Sequence, residues 1–397
     1  MLFGPRLDRT LRAAARVSRT RYPAFIFGLP VSAREIPVFT YHDVEPEEFA
    51  LDLEFLRANR YRTLGLDEFL HAQASGRIPR RCVLLTFDDA RKSFWHTALP
   101  LLGTFDARAT LFAPTYWMDP PLLRCRRPAA PDEHARMQAD ARMDDLFMSW
   151  AQLRACAESG FVDVQSHAHR HALVHVSNEL IDFASPQALA RFDLYDWPMR
   201  AARARRGVQD AWDDELGSPC AGTPVYRSMP LLSARGRYVE DAEVVHACRT
   251  LVLQCGGPAF FDDRDWRVRL QACHDAHRRR HAGHYMGSAD FRKLVESEFE
   301  ISRAAFETHL GRAPSCLAFP WRLGAPQSLQ LARRHGLRAV FGVALDYRAA
   351  GRAQPLPVFG RLKCDWLRFL PGEGRSNVVA MLGRKLAQFD KVQHLAH

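Results

Sequence analysis

Six short, mostly apolar runs constrain this chain more than any other feature. They lie at residues 37–41, 83–87, 109–113, 161–165, 315–319 and 338–343. A strand with one wet face alternates apolar and polar residues, whereas a strand covered on both faces is apolar throughout. Helix-length segments separate the runs. After the first, Phe49, Leu53 and Leu56 fall at i, i+4 and i+7, the stripe of an amphipathic helix. Buried strands alternating with helices make an α/β fold with a parallel sheet under helices. Polar residues follow several runs directly, and in a parallel barrel that end of the strands is where active sites collect.

The rhythm fails between residues 178 and 290, a stretch rich in Arg, Asp, His, Gly and Pro that reads as an insertion with helices of its own. Within it, Gly222 to Tyr226 form a turn leading into an extended piece that could roof a site. The pattern resumes with Phe291, Val295, Phe299, Ser302, Phe306 and Leu310, one long helical stripe stopped by Gly311 and Pro314. Residues 115–145 are an irregular link. The expected organisation is a basic segment at 1–34, a barrel built from 35–177 and 291–370, and an insertion, a possible lid, at 178–290.

Composition removes several classes. With 397 residues, 47% hydrophobic and 25% charged, the chain can bury a large core and is neither collagen-like nor disordered. Nine cysteines, an odd number with no Cys-x-x-Cys pair, argue against a disulfide framework or a zinc ribbon and fit a reducing compartment. The apolar run at 24–31 is too short to cross a bilayer. Lys plus Arg exceed Asp plus Glu by 55 to 45, which favours anionic partners. The first 22 residues carry Arg6, Arg9, Arg12, Arg16, Arg19 and Arg21 against Asp8, with Leu7, Leu11 and Ala14 on the other side of a helical projection. This is either a solvated basic tail or a weak anchor to an acidic lipid surface. Nucleic acid is not expected, because no motif for it is present. The expected location is cytoplasmic, with the tail suited to the inner membrane face.

Three groups of residues can carry chemistry. Asp88 and Asp89 follow the second buried run, and adjacent carboxylates repel unless a proton or cation lies between them. A loop acid pair or helix cap is the plain alternative. His167 and His171 follow the fourth run, four residues apart, so one turn of helix would put both imidazoles on one side, with His169 pointing elsewhere. A solvated histidine-rich loop is the plain alternative there. Together, one carboxylate and two imidazoles suit zinc or another divalent ion and leave room for water. In the insertion, His274, His277, His281 and His284 alternate with Arg278, Arg279 and Arg280, and read as a basic exposed face rather than a second metal site.

With these residues in hand, the sequence resembles the polysaccharide deacetylases, carbohydrate esterases similar to chitooligosaccharide deacetylases. Thr86-Phe87-Asp88-Asp89 matches the first family motif. His167 to His171 match His-Ser/Thr-x-x-His, with Ala168 in the hydroxyl position. Phe319-Pro320-Trp321, with Gly324 nearby, matches the third, and Tyr41-His42-Asp43 resembles one branch's first strand end. The resemblance covers about residues 36–175 and 290–345. It implies an incomplete or distorted (β/α) barrel, seven-stranded, and metal-dependent removal of an N-acyl group, usually acetyl, from a sugar. It implies one divalent ion, zinc first and cobalt or nickel after it, held by Asp89, His167 and His171, with Asp88 as general base. It also implies that Pro320 and Trp321 line the substrate site, the Trp321 backbone holding the oxyanion.

Two departures stand out. Many members have an arginine two residues before the third-motif proline, where this chain has Ala318. The late Leu-x-x-His motif, whose histidine protonates the leaving amine, has no match, since Leu362-Lys363-Cys364-Asp365 ends in aspartate. His42 is the leading replacement as general acid, with Asp365 and the insertion's histidines behind it. The expected substrate is an N-acylated sugar in a glycan, or in a lipid-linked or anionic precursor. A deformylase or other amidase on a lipid-linked aminosugar would use the same chemistry. A carbohydrate-binding relative without turnover would keep the barrel.

Overall fold

The computed structural model describes residues 22–118, 147–185, 221–342 and 356–376. The expected strands form β1 (Val38–Tyr41), β3 (Cys82–Asp88), β4 (Ala109–Ala113), β5 (Val162–Ser166), β10 (Cys316–Ala318) and β11 (Ala339–Phe341). A two-residue β2 (Arg62–Thr63) pairs with the start of β3. Every residue of β1, β3, β4, β10 and β11 is buried, as unbroken apolar runs require. Two strands were not legible in the sequence, β12 (Val358–Phe359) and β13 (Leu362–Lys363). At two residues each they leave no periodicity to read.

Those two short strands close the fold. The sheet runs β12-β11-β10-β5-β4-β3-β1-β13 with every pairing parallel. Its first and last strands are separated in the chain only by Gly360 and Arg361. Three peptide units reach about 11 Å at most, so the sheet must curl until its ends are near neighbours. The result is a distorted (β/α) barrel with six full staves and a seventh divided between β12 and β13.

Helices cover the barrel: α1 (Pro46–Ala58), α2 (Leu66–Ser75), α3 (Leu99–Thr104), α4 (Trp150–Glu158), then α7 (Ser288–Leu310) and α8 (Pro326–Arg334) later in the chain. The stripe of α1 packs inward through Phe49, Leu53 and Leu56. Ser149 and Gln152 form a reciprocal capping box that starts α4. The stripe of α7 buries Phe291, Val295, Phe299, Ser302 and Phe306, and Gly311 ends it in the left-handed conformation at φ 69°. The apolar run near the start lies against the barrel, with Phe25 and Ile26 buried in the main core. Among the described residues, no helix is long and apolar enough to cross a membrane. The six N-terminal arginines lie outside the described residues.

Among the described residues, the insertion contributes no strand to the barrel. β6 (Leu173–Phe183) pairs antiparallel with β7 (Pro224–Pro230), and β8 (Tyr238–Val239) with β9 (His284–Tyr285). Its own helices, α5 (Ala242–Gln254) and α6 (Trp266–Arg278), enclose a separate apolar cluster of Phe183, Cys248, Val252, Phe260, Trp266 and Leu270. His274 corrects the expectation of an exposed basic face. It is buried, with Nε2 2.9 Å from the Tyr226 hydroxyl and Nδ1 2.9 Å from Asp275. Tyr226 and Tyr238 both donate to the buried carboxylate of Glu240. A histidine with a hydroxyl and a carboxylate to bond can leave water, which the spacing of neighbouring arginines does not reveal. The 222–226 turn is likewise built into the insertion. A Cβ on Gly222 would come within 2.7 Å of Val252 on α5, and Tyr226 lies inside.

Candidate active site

Four parallel strands deliver the site residues at their C-terminal ends. Asp88 is the last residue of β3 and Asp89 the next, while His42 follows β1 and His167 follows β5. Phe319, Pro320 and Trp321 follow β10. Tyr41 lies beside Phe87, and Ser166 lies beside both Ala113 and Leu317, so the staves present these ends on one rim.

Asp89, His167 and His171 converge. His167 Nε2 lies 3.5 Å and His171 Nε2 3.6 Å from Asp89 Oδ1. One ligand atom from each residue lies within 4.8 Å of the others, and all three residues are buried. The His167 ring is held by a 2.8 Å contact from Nδ1 to the Ala318 carbonyl, which assigns its proton to Nδ1 and leaves Nε2 free to ligate. Asp89 Oδ1 is buried without a hydrogen-bond partner. An orphaned buried carboxylate oxygen facing two imidazole nitrogens is a donor set that a divalent cation satisfies and that is costly without one. The residues fit the group: this cluster can hold a divalent metal.

Electrostatics points the same way. Burial pulls the His167 imidazole down to about 4 and His171 well below its ordinary value, so both rings are neutral donors near pH 7. Burial, and then the charge of Asp88, push Asp89 up to about 8. A cation at the cluster would remove that penalty.

Asp88 behaves oppositely to its neighbour. Burial alone would raise its carboxyl, but Arg361, His167 and His42 outweigh burial and hold it well below the usual carboxylate range. Arg361 is wholly buried and grips both carboxylate oxygens at 2.5 and 2.8 Å, with Thr40 Oγ1 at 3.2 Å. Two adjacent aspartates are thus driven apart, one fixed as an anion and the other awaiting a cation.

Arg361 is the residue of this candidate site that sequence reasoning missed. The expectation was an arginine just before Pro320, where Ala318 stands. The guanidinium comes instead from the link between β12 and β13. Its only trace in the sequence is a single arginine inside the apolar stretch Val358-Phe359-Gly360-Arg361-Leu362.

The loop from His167 to His171 is not a turn of helix, which corrects the reading from spacing. Ala168 at φ 66° and His171 at φ 54° reverse the backbone, and it is these reversals that bring the two imidazoles together, with ring centroids 4.9 Å apart. His169 does point away, its Nδ1 2.8 Å from Thr115 Oγ1. Non-glycine residues at positive φ store strain, and six of the nine among the described residues belong to the site: Asp89, Ala90, Ala168, His171, Trp321 and Arg322. The Trp321 ring stands 4.1 Å from that of His171, and Pro320 is buried. Gly324 completes this turn because a Cβ there would come within 2.5 Å of the Phe319 ring.

His42 lies on the rim with half its side chain open to solvent and Nε2 3.8 Å from Asp88 Oδ2. Burial lowers its pKa, with Asp88 opposing and nearby arginines reinforcing the shift. Asp365 lies at the start of the short helix that follows β13, Cys364–Phe369.

The match to a family model agrees with this arrangement. Residues 75–191 match the family model described as polysaccharide deacetylase, a stretch that carries Asp88, Asp89, His167 and His171. A poly-β-1,6-N-acetyl-D-glucosamine N-deacetylase of Escherichia coli K12 is 29% identical over 122 residues, 30% of this chain and 16% of the relative. The enzyme of the same name from Staphylococcus epidermidis is 23% identical over 153 residues, 38% of this chain and 46% of the relative. The chain therefore spans less than half the length of these two curated relatives. Among solved structures, the BpsB deacetylase domain of Bordetella bronchiseptica aligns with a TM-score of 0.49 at 20% identity, covering 84% of this chain and 97% of that one. A de-N-acetylase of Aggregatibacter actinomycetemcomitans aligns at 0.48 and 14% identity, covering 88% and 98%.

Proposed function

We propose, from the match of residues 75–191 to the polysaccharide deacetylase family model, that the chain hydrolyses the N-acetyl groups of a polymer of N-acetylglucosamine. The observation that carries the reading is the buried meeting of Asp89, His167 and His171 beside an aspartate held ionised by Arg361. The names of the curated relatives make the β-1,6-linked polymer the first substrate to test.

Asp89 and the Nε2 atoms of His167 and His171 would hold the ion, and two imidazoles with one carboxylate make zinc the first choice. A divalent ion in such a site makes water acidic enough to attack at neutral pH and polarises the amide carbonyl. The rest falls to the chain's own residues. Asp88 accepts the proton of the attacking water at a carboxylate oxygen. Arg361 keeps that oxygen ionised and aimed. Trp321 and Pro320 wall the acyl group and exclude bulk water. His42, with Nε2 3.8 Å from Asp88 Oδ2, takes up the proton that Asp88 accepted and passes it to the departing nitrogen.

Acetate release from β-1,6-linked and β-1,4-linked N-acetylglucosamine oligomers, an N-formyl analogue and a lipid-linked acetamido sugar, with zinc or with chelator, tests the function. Acetate from the β-1,6 oligomer, lost with chelator and restored by zinc, is the expected result. Formate alone would make the protein a deformylase, and no release from any substrate despite bound metal would make it a binding protein. The Asp89→Ala, His167→Ala double variant is expected to retain no stoichiometric metal by elemental analysis. Full retention would disprove the ligand set.

His42 is separable by leaving group. An amine must leave protonated, whereas an activated acetate ester needs no proton. His42→Gln is expected to lose about 10²-fold or more on the acetamido sugar and little on the ester. Equal losses on both substrates would exclude His42 as the donor.

A further inference from the structure

We infer that Glu298, at the middle of α7, is the positioning residue that holds the two histidines of the 167–171 loop in metal-binding geometry. The inference rests on the metal site proposed above and adds a residue from outside its motifs.

Glu298 is buried on the inward face of α7, in a row with Val295, Phe299 and Ser302. A carboxylate in that row is expensive unless every oxygen is used. Both are. Oε2 accepts the backbone N–H of His169 at 3.0 Å and of Arg170 at 2.8 Å. Oε1 takes the Arg170 guanidinium at 2.8 Å, and Arg170 is itself buried. One side chain therefore grips the segment between the two histidines at three points, with charge assistance at each.

The loop needs such a grip. Ala168 and His171, its two left-handed residues, would relax toward ordinary dihedrals if released. The family motif puts a hydroxyl residue where this chain has Ala168, whose methyl can bond nothing. On the far side, backbone bonds from Thr115 to Ala168 and from Tyr116 to His169 tie the loop to the residues after β4. On the near side, the Ser166 hydroxyl accepts from the Ala168 N–H at 3.1 Å and meets Ser302 of α7 at 2.9 Å. Glu298 adds a buried ionic tie to Arg170 on this side. His171 is the next residue after Arg170, so a shift of that grip moves its imidazole directly.

The test compares Glu298→Gln with Val295→Ala, a neighbour on the same helix that loses core packing but no tie to the loop. Zinc affinity is measured by chelator competition, geometry by the visible absorption of the cobalt-loaded protein, and stability by thermal unfolding without metal. Glu298→Gln is expected to bind zinc about 10- to 100-fold more weakly, the usual effect of losing a group that orients metal ligands, with an altered cobalt spectrum. Val295→Ala is expected to melt earlier yet match the parent in affinity and spectrum. Parental affinity and spectrum in Glu298→Gln would overturn the inference, as would equal weakening in Val295→Ala. If Glu298→Gln does not fold, Glu298→Asp decides: it keeps the charge and shortens the reach, so weaker zinc binding supports the grip and parental binding overturns it. A parent protein that takes up neither ion overturns both this inference and the proposed function. A parent that binds and a variant that matches it overturn this inference alone.

Discussion

Asp88→Asn is expected to bind one divalent ion per chain as the parent does, yet to lose about 10²- to 10⁴-fold in kcat, the span that a general base contributes. Asparagine preserves the shape at the end of β3 and an oxygen for Arg361, but it cannot take a proton from water. Metal binding is expected to survive because the ligand cluster is Asp89, His167 and His171, while both carboxylate oxygens of Asp88 are engaged by Arg361. The substitution also leaves the buried Arg361 guanidinium without its anion, so a lower melting temperature accompanies the kinetic loss. Elemental analysis, steady-state kinetics and thermal unfolding on one preparation separate the three effects. Near-parental kcat with metal in place would remove Asp88 as the base.

The second large effect is expected at Arg361. Arg361→Met should cost about 3–5 kcal/mol of stability at neutral pH, the range for breaking one side of a buried ion pair. Its signature is pH dependence. In the parent, Asp88 is depressed below its unfolded pKa near 4, so the pairing contributes stability above that pH and loses it as pH falls toward the folded value. Without the guanidinium, burial dominates and the carboxyl titrates at higher pH. The gap in stability between parent and variant should therefore narrow as the solution is acidified. The acidic limb of the kcat/KM profile should move toward neutral pH. Thermal unfolding from pH 4 to 8, with a pH–rate profile, measures both. An acidic limb unmoved in the variant would mean that Arg361 does not set the protonation of Asp88.

The barrel was legible because its strands are buried on both faces. That environment admits apolar residues almost exclusively, and β3, β4 and β11 therefore announce themselves as unbroken runs. Asp88, Asp89 and His167 were legible as candidates because polar residues that follow directly on such runs stand at the rim of a parallel barrel, where active sites collect. The histidine loop was legible in composition but not in shape. Spacing of four residues suggests a helix, whereas its geometry comes from two left-handed residues that only surrounding contacts can hold. His274 was misread for a related reason. Burial of a polar side chain depends on partners such as Tyr226 and Glu240, far from it in sequence.

The sequence by itself determined the strands, the helical stripe of α7, the interruption at the insertion and three elements of the site, because each is encoded in neighbouring residues. Tertiary structure alone decided which groups complete them. Arg361 reaches Asp88 across 273 residues of chain, and Glu298 reaches Arg170 across 128. Each arrives because the curled sheet and the helix packed on it bring distant segments to one rim. Their carboxylates and guanidiniums are buried there because each found its opposite charge, and a pairing over that separation leaves no local period in the sequence.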